Sequence, residues 1–179
     1  MTAHSNSSRR KPVIGVMGGS RATEKVAAMA HELGALIAQR GWVLLNGGRN
    51  AGVMAASAAG AKAAGGTVVG VLPDATRHRA SPDLDYVILT GMGDARNVIN
   101  VLSSDVVIAC PGRAGTLSEV MLALNHEKPV ILLGGFDPGP EVDQYRKSGL
   151  LREAASPLDA VDLAATLLGS AGFGNSPRD

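Results

Sequence analysis

Short, continuously apolar runs alternate along this chain with segments whose apolar residues recur every three or four positions. The runs are 13–17, 42–45, 67–71, 86–89, 105–110 and 130–133. Most are apolar throughout instead of alternating, which predicts strands covered on both faces. Between the first two, Val26, Met29, Ala30, Leu33, Leu36 and Ile37 keep helical spacing, and Gly41 supplies a stop just beyond Arg40. An Ala-rich segment from about Gly52 to Ala64 closes on Gly65-Gly66, and further helical patterns lie near 95–103, 116–126 and 157–168. Repeated strand–helix–strand order predicts an α/β fold: a single Rossmann-like, doubly wound domain, with a mostly parallel sheet flanked by helices on both faces. The domain is expected over 12–168, between a disordered polar leader at 1–11 and a frayed tail at 169–179. Gly134 to Lys147 is the longest irregular stretch and reads as a flap.

Composition narrows the function more than the fold. A chain of 179 residues with 45% apolar content suits one domain with a sizeable core. Aromatics are scarce, with two Phe, two Tyr and one Trp, so the flat side chains on which nucleic-acid bases stack are missing. Lys plus Arg number 17 against 16 acids, a net charge of +1, so no broad field draws in polyanions. No nucleic-acid partner is therefore expected, and any bound anion must be held locally. No run approaches the roughly 20 apolar residues that span a bilayer, so no membrane association is expected and a cytoplasmic location is. The single Cys110 excludes an internal disulfide and a cysteine-built zinc site, and no His/Asp/Glu spacing suggests another metal trap.

In open α/β sheets ligands bind beyond the carboxyl ends of the strands, where loops enter helix N-termini. Three such loops are glycine-rich here. They are Gly18-Gly19-Ser20, Gly47-Gly48-Arg49-Asn50-Ala51-Gly52, and Pro111-Gly112-Arg113-Ala114-Gly115-Thr116. Glycine lets the backbone approach an anion, and the amides of the following helix point outward to receive it. One loop alone is as readily a plain turn; three at one sheet edge point to a ligand. That ligand does not read as NAD. Gly15-Val16-Met17-Gly18-Gly19 lacks G-x-G-x-x-G spacing, and the second strand ends in Asn46 where an acid would hold the ribose. The P-loop motif G-x-x-x-x-G-K-[ST] is absent from the sequence.

Single residues each admit two readings. Glu119 follows Thr116 by three positions, a capping-box spacing, so it either closes a helix start or contacts a ligand hydroxyl or amine beside the anion loop. Arg96-Asn97 opens a helix behind Gly91-Met92-Gly93-Asp94; the arginine is either a solvated charge or a planar fork for an oxyanion. Cys110 reads as a small core residue, with a ligand or redox role as its alternative, and His31 and His126 as surface or packed helix positions. Arg77-His78-Arg79 reads as a solvated turn, with a basic lid as its alternative.

The runs GWVLLNGGRNAGVM, TGMGDARNVINVLSSDVVIAC and PGRAGTLSE resemble the molybdenum cofactor carrier proteins of algae and cyanobacteria, within the wider Rossmann-like superfamily of LOG-type proteins. The resemblance covers roughly Pro12 to Leu133. It implies a homo-oligomer, dimer or tetramer, that binds, protects and carries the molybdenum cofactor without transforming it, with molybdoenzymes as recipients. That cargo is a pterin bearing a dithiolene-bound oxo-molybdenum and a terminal phosphate. The implied pocket comprises Gly18, Gly19, Ser20, Gly47, Gly48, Arg49 and Asn50, with Arg96, Asn97, Gly112, Arg113, Gly115, Thr116 and Glu119. A carrier has no catalytic residues.

The rival reading is an enzyme of the same superfamily. LOG-type phosphoribohydrolases release a free base from AMP or a cytokinin riboside monophosphate, and their PGGxGTxxE pattern resembles Pro111 to Glu119. On that reading Glu119 and Arg96 are the catalytic pair for N-glycosidic cleavage. Three departures weaken it: Arg113 replaces a glycine, Asn97 replaces the lysine of M-x-x-R-K, and Met92 stands four residues before Arg96 instead of three. If position 113 requires a positive φ, its arginine is strained.

Overall fold

The computed structural model describes residues 10–170. Its strands are β1 (Val13–Met17), β2 (Val43–Asn46), β3 (Thr67–Leu72), β4 (Tyr86–Leu89), β5 (Val106–Ala109), β6 (Val130–Leu133) and β7 (Leu151–Ala154). They form one all-parallel sheet in the order β4-β3-β2-β1-β5-β6-β7. The helices are α1 (Glu24–Gln39), α2 (Gly52–Ala63), α3 (Asn97–Leu102), α4 (Ala114–Asn125), α5 (Asp143–Ser148) and α6 (Pro157–Ser170). The chain runs outward from β1 to β4, then returns to β5 on the other side of β1, which confirms the doubly wound reading.

The apolar runs are buried on both faces because the pleat sends alternate side chains each way. Ile14 and Val16 point to one face, where α1, α2 and α6 supply Leu33, Ile37, Ala58 and Val161. Met17 and Val107 point to the other, where α3, α4 and α5 supply Val101, Val120, Leu124 and Tyr145. Fully burying one such Val or Leu contributes about 1.5–3 kcal/mol. The small residues of α2 serve contact within the chain. A Cβ on Gly60 would collide with the His31 carbonyl of α1, and one on Gly34 with the Ser57 carbonyl of α2.

Three expectations change. β7 has no apolar run: Leu151 and Ala154 face inward while Arg152 and Glu153 are exposed, as suits an edge strand. The 134–147 stretch is largely ordered and packed instead of forming an open flap. It holds a 3-10 turn (Pro140–Val142) and α5, with Val142 fully buried and Phe136 and Tyr145 packed on the core. Arg146 ties it down, donating to Asp137, Asp143 and Glu153. Finally, α6 continues to Ser170, and Arg10, inside the expected leader, forms a bidentate pair with Asp105. The rest of the leader and tail, 1–9 and 171–179, lies outside the described residues.

Candidate functional site

The three glycine-rich loops meet at the C-terminal ends of β1, β2 and β5, beside the point where the strand order reverses. Their glycines chiefly let backbones wedge together. Gly19 donates its N–H to the Pro111 carbonyl (3.3 Å) and accepts at its own carbonyl from Val53 N–H at the start of α2 (3.0 Å). A Cβ on Gly18 would stand 2.7 Å from Val53, and Gly52, at φ +52°, lies against the Gly19 carbonyl. The first loop is thus clamped between α2 and the loop before α4.

A cavity of about 400 Å³ opens above these loops, within the roughly 300–1,000 Å³ range of small-molecule sites. Of the expected residues, Gly18, Gly19, Ser20, Gly47 and Arg49 line it. So do Arg96, Asn97, Arg113, Gly115, Thr116 and Glu119. Four arginines, Arg21, Arg49, Arg96 and Arg113, face two carboxylates, Asp94 and Glu119, so the cavity favours anions. The N-terminus of α4 adds to this field: it has no side-chain cap, whereas α1 is capped by Thr23.

At the floor, Arg96 Nη1 stands 3.5 Å from Glu119 Oε1, and Asn100 Nδ2 donates to the same oxygen at 3.0 Å. Arg96 Nη1 also donates to Asn97 Oδ1 (2.8 Å), while the buried Arg96 Nε finds no partner. Gly47 makes room for this guanidinium, since a Cβ there would stand 2.6 Å from Arg96 Nη2. Burial lifts the Glu119 carboxyl to about 6, against the lowering pull of the Asn100 hydrogen bond and the Arg96 charge. Burial also holds the Arg96 guanidinium below its ordinary value, with Glu119 opposing. Near the mouth Arg49 pairs with Asp74 at 3.2 Å, and its buried Nε is likewise unpartnered.

Several expectations resolve. Glu119 completes no capping box, because α4 starts at Ala114 with Arg113 as its cap; Thr116 and Glu119 lie inside the helix and both are buried. Arg113 is unstrained, at φ −119° and ψ −154°. Gly48, Asn50 and Gly112 are not among the cavity-lining residues. Gly48 packs on Gly70, Asn50 N–H donates to the Arg79 carbonyl, and Gly112 gives Thr116 room. Asn46 is structural, donating to the Met54 carbonyl and Ser57 Oγ and accepting from Gly48 N–H. Arg77, His78 and Arg79 are exposed and do not line the cavity. Cys110 is buried in the core, its thiol pushed up to about 12 by burial. Sequence reasoning did not single out Arg21, Asp94 and Met54, which line the cavity, or Asn100, which stands behind Glu119. Asn100 alone carried a signal, as a polar residue on the buried side of a short helix.

Known proteins share this architecture. The molybdenum cofactor binding protein of the phototrophic bacterium Rippkaea orientalis is 49% identical, with a TM-score of 0.84 over 89% of this chain and 98% of its own. The molybdenum cofactor carrier protein of Chlamydomonas reinhardtii is 45% identical, with a TM-score of 0.80 over 89% of this chain and 99% of its own. A cytokinin riboside 5′-monophosphate phosphoribohydrolase of Mycobacterium tuberculosis is 38% identical over 133 residues, 69% of this chain and 70% of the enzyme. The model of the SLOG cluster4 family matches residues 11–161, and this chain belongs to that family.

Proposed function

We propose that this protein binds the molybdenum cofactor as non-covalent cargo and carries it without chemical change. One observation carries the reading. The cavity holds four arginines, two of them with buried, unpartnered Nε donors, beside an uncapped helix N-terminus. Such a lining suits a ligand that is anionic at more than one place, as phosphate and molybdenum oxo groups are. Gly115, Thr116 and Arg113 would take the phosphate, Arg49 and Arg96 the oxo groups, and Glu119 and Asn97 the hydrogen-bonding pterin edge. The metal keeps its own dithiolene sulfurs, so no protein thiolate is required; Cys110 lies in the core and not among the cavity-lining residues. The similarity to cofactor-binding proteins at 45–49% identity supports the same reading. The carrier would work in the cytoplasm as a homo-oligomer, handing its cargo to molybdoenzymes and taking no nucleic acid.

A specific observation favours a second reading. Glu119, lifted to about 6 beside Arg96, is poised for acid–base work in cleaving an N-glycosidic bond. One paired experiment separates the two. The protein is titrated with molybdenum cofactor under anoxic conditions, and the same batch is assayed for base release from AMP and a cytokinin riboside monophosphate. Saturable binding that slows oxidative decay of the cofactor, with no base released, is expected. Base release without cofactor binding would move the protein to the phosphoribohydrolases.

A further inference from the structure

Asn100 is fully buried on α3, behind Glu119 and outside the cavity lining. Its backbone is held on the inner side of α3. Its carbonyl accepts from Ser104 Oγ at 2.7 Å, and Ser104 in turn seats against Gly15 of β1, where a Cβ would collide with the hydroxyl. A carboxamide brings both donors and an acceptor. Here the one side-chain hydrogen bond goes to Glu119 Oε1, and the buried Oδ1 has no partner. A residue that merely filled this space would be better apolar, since an unmet buried acceptor is costly.

We infer that Asn100 is a positioning residue: it pins the Oε1 edge of Glu119 and so leaves Oε2 as the oxygen offered to an N–H or O–H donor of the bound ligand. Both polar contacts to Glu119, from Asn100 and from Arg96, fall on Oε1, and Oε2 takes no hydrogen bond among the described residues. The charged groups around it are Arg96 and Asp94 ahead of α3, Arg49 after β2, Arg21 after β1 and Arg113 at the start of α4. Of these, only Arg96 comes within ion-pair distance. The Asn100 hydrogen bond therefore contributes both to the carboxylate's direction and to its charge, and it opposes the burial that lifts this group to about 6. The ligand-binding half of this inference rests on the proposed cargo function; the effect on Glu119 does not.

The test uses Asn100→Leu, together with Asn100→Ser as a smaller change should the first fail to fold. Glu119 is followed by carbon NMR of labelled Glu carboxyls in the ligand-free protein, assigned through Glu119→Gln. Its titration midpoint should rise by about half a pH unit or more in Asn100→Leu, and by less in Asn100→Ser. Anoxic binding of molybdenum cofactor near pH 7.5 should weaken about fivefold or more, and parent and variant should converge near pH 5, where both carry a protonated Glu119. In a Glu119→Gln background Asn100→Leu should add no further loss. An unmoved midpoint in a folded variant, or the same loss in both backgrounds, would reduce Asn100 to packing. If the parent itself takes up no cofactor, the cargo function fails, and the ligand-free titration still decides the role of Asn100.

Discussion

Two arginine–carboxylate pairs at opposite edges of the sheet show how differently one chemistry can be used. At the N-terminal edge Asp105 receives both guanidinium nitrogens of Arg10 (2.8 and 2.9 Å) and the Val13 N–H (2.8 Å). Asp85 repeats the device between β3 and β4, accepting from Lys62 and from the Val68 N–H. Each joins neighbouring strand starts and leaves both carboxylate oxygens partnered. At the C-terminal edge Arg96 and Glu119 are buried, 3.5 Å apart, with the Arg96 Nε unmet and one Glu119 oxygen without a partner. The hydrogen bond to Asp105 raises the Arg10 pKa, whereas burial lowers that of Arg96. A satisfied, half-exposed pair holds the fold; an unsatisfied, buried one is what the proposed ligand site would draw on.

The largest effect should come from breaking the buried pair. Arg96→Ala removes the charge-assisted donor from the cavity floor and should weaken cofactor binding about 10- to 100-fold, with the far-UV CD spectrum unchanged. Unchanged affinity, measured by anoxic titration, would remove Arg96 from the site. Next is Glu119, ionised above about 4.5 in the unfolded chain but only above about 6 in the folded one. In that window the folded chain keeps a proton the unfolded chain sheds, so stability falls as pH rises through it, by about 2 kcal/mol in all. Glu119→Gln lifts this burden and should raise Tm by roughly 4–8 °C near pH 7.5, with the gain vanishing near pH 4.5. A gain equal at both pH values would mean that Glu119 does not titrate in this window.

The edge that binds and the edge that holds were not equally legible in sequence. The parallel, doubly wound sheet followed from apolar runs such as 13–17 and 130–133, because strands buried on both faces must be apolar throughout. β7 escaped because an edge strand needs only Leu151 and Ala154 inside. Eleven of the expected site residues line the cavity, since loops at strand ends announce themselves through glycine; Gly48, Asn50 and Gly112 carry the same composition but serve packing. Composition cannot tell a glycine that faces a ligand from one that faces another backbone. Asp94 and Arg21 were missed because single charges in loops look alike until the fold brings them together. The capping-box spacing misled because α4 begins two residues before Thr116.

Smaller effects should fall on the other side of the contrast. Asp105→Ala removes the clamp between β1 and β5 and should cost about 1 kcal/mol, chiefly through the Val13 N–H, because the pair with exposed Arg10 is screened by solvent. A urea midpoint reads this loss, and cofactor affinity should not move. If affinity falls with it, the two edges are coupled and do not divide holding from binding.

Cys110 gives the finest test, because it directly follows β5, where the core meets the glycine-rich loops. Its thiol is fully buried among core residues and pushed up to about 12, so it stays protonated and shielded in the folded chain. Cys110→Ala should cost about 1 kcal/mol through lost packing and leave cofactor binding within about twofold of the parent. Alkylation by iodoacetamide should proceed only as fast as the chain unfolds, since the thiolate does not form in place. Rapid alkylation without unfolding, or loss of binding in a stable Cys110→Ala protein, would bring the sulfur into the cavity and make it a ligand for the metal end of the cargo.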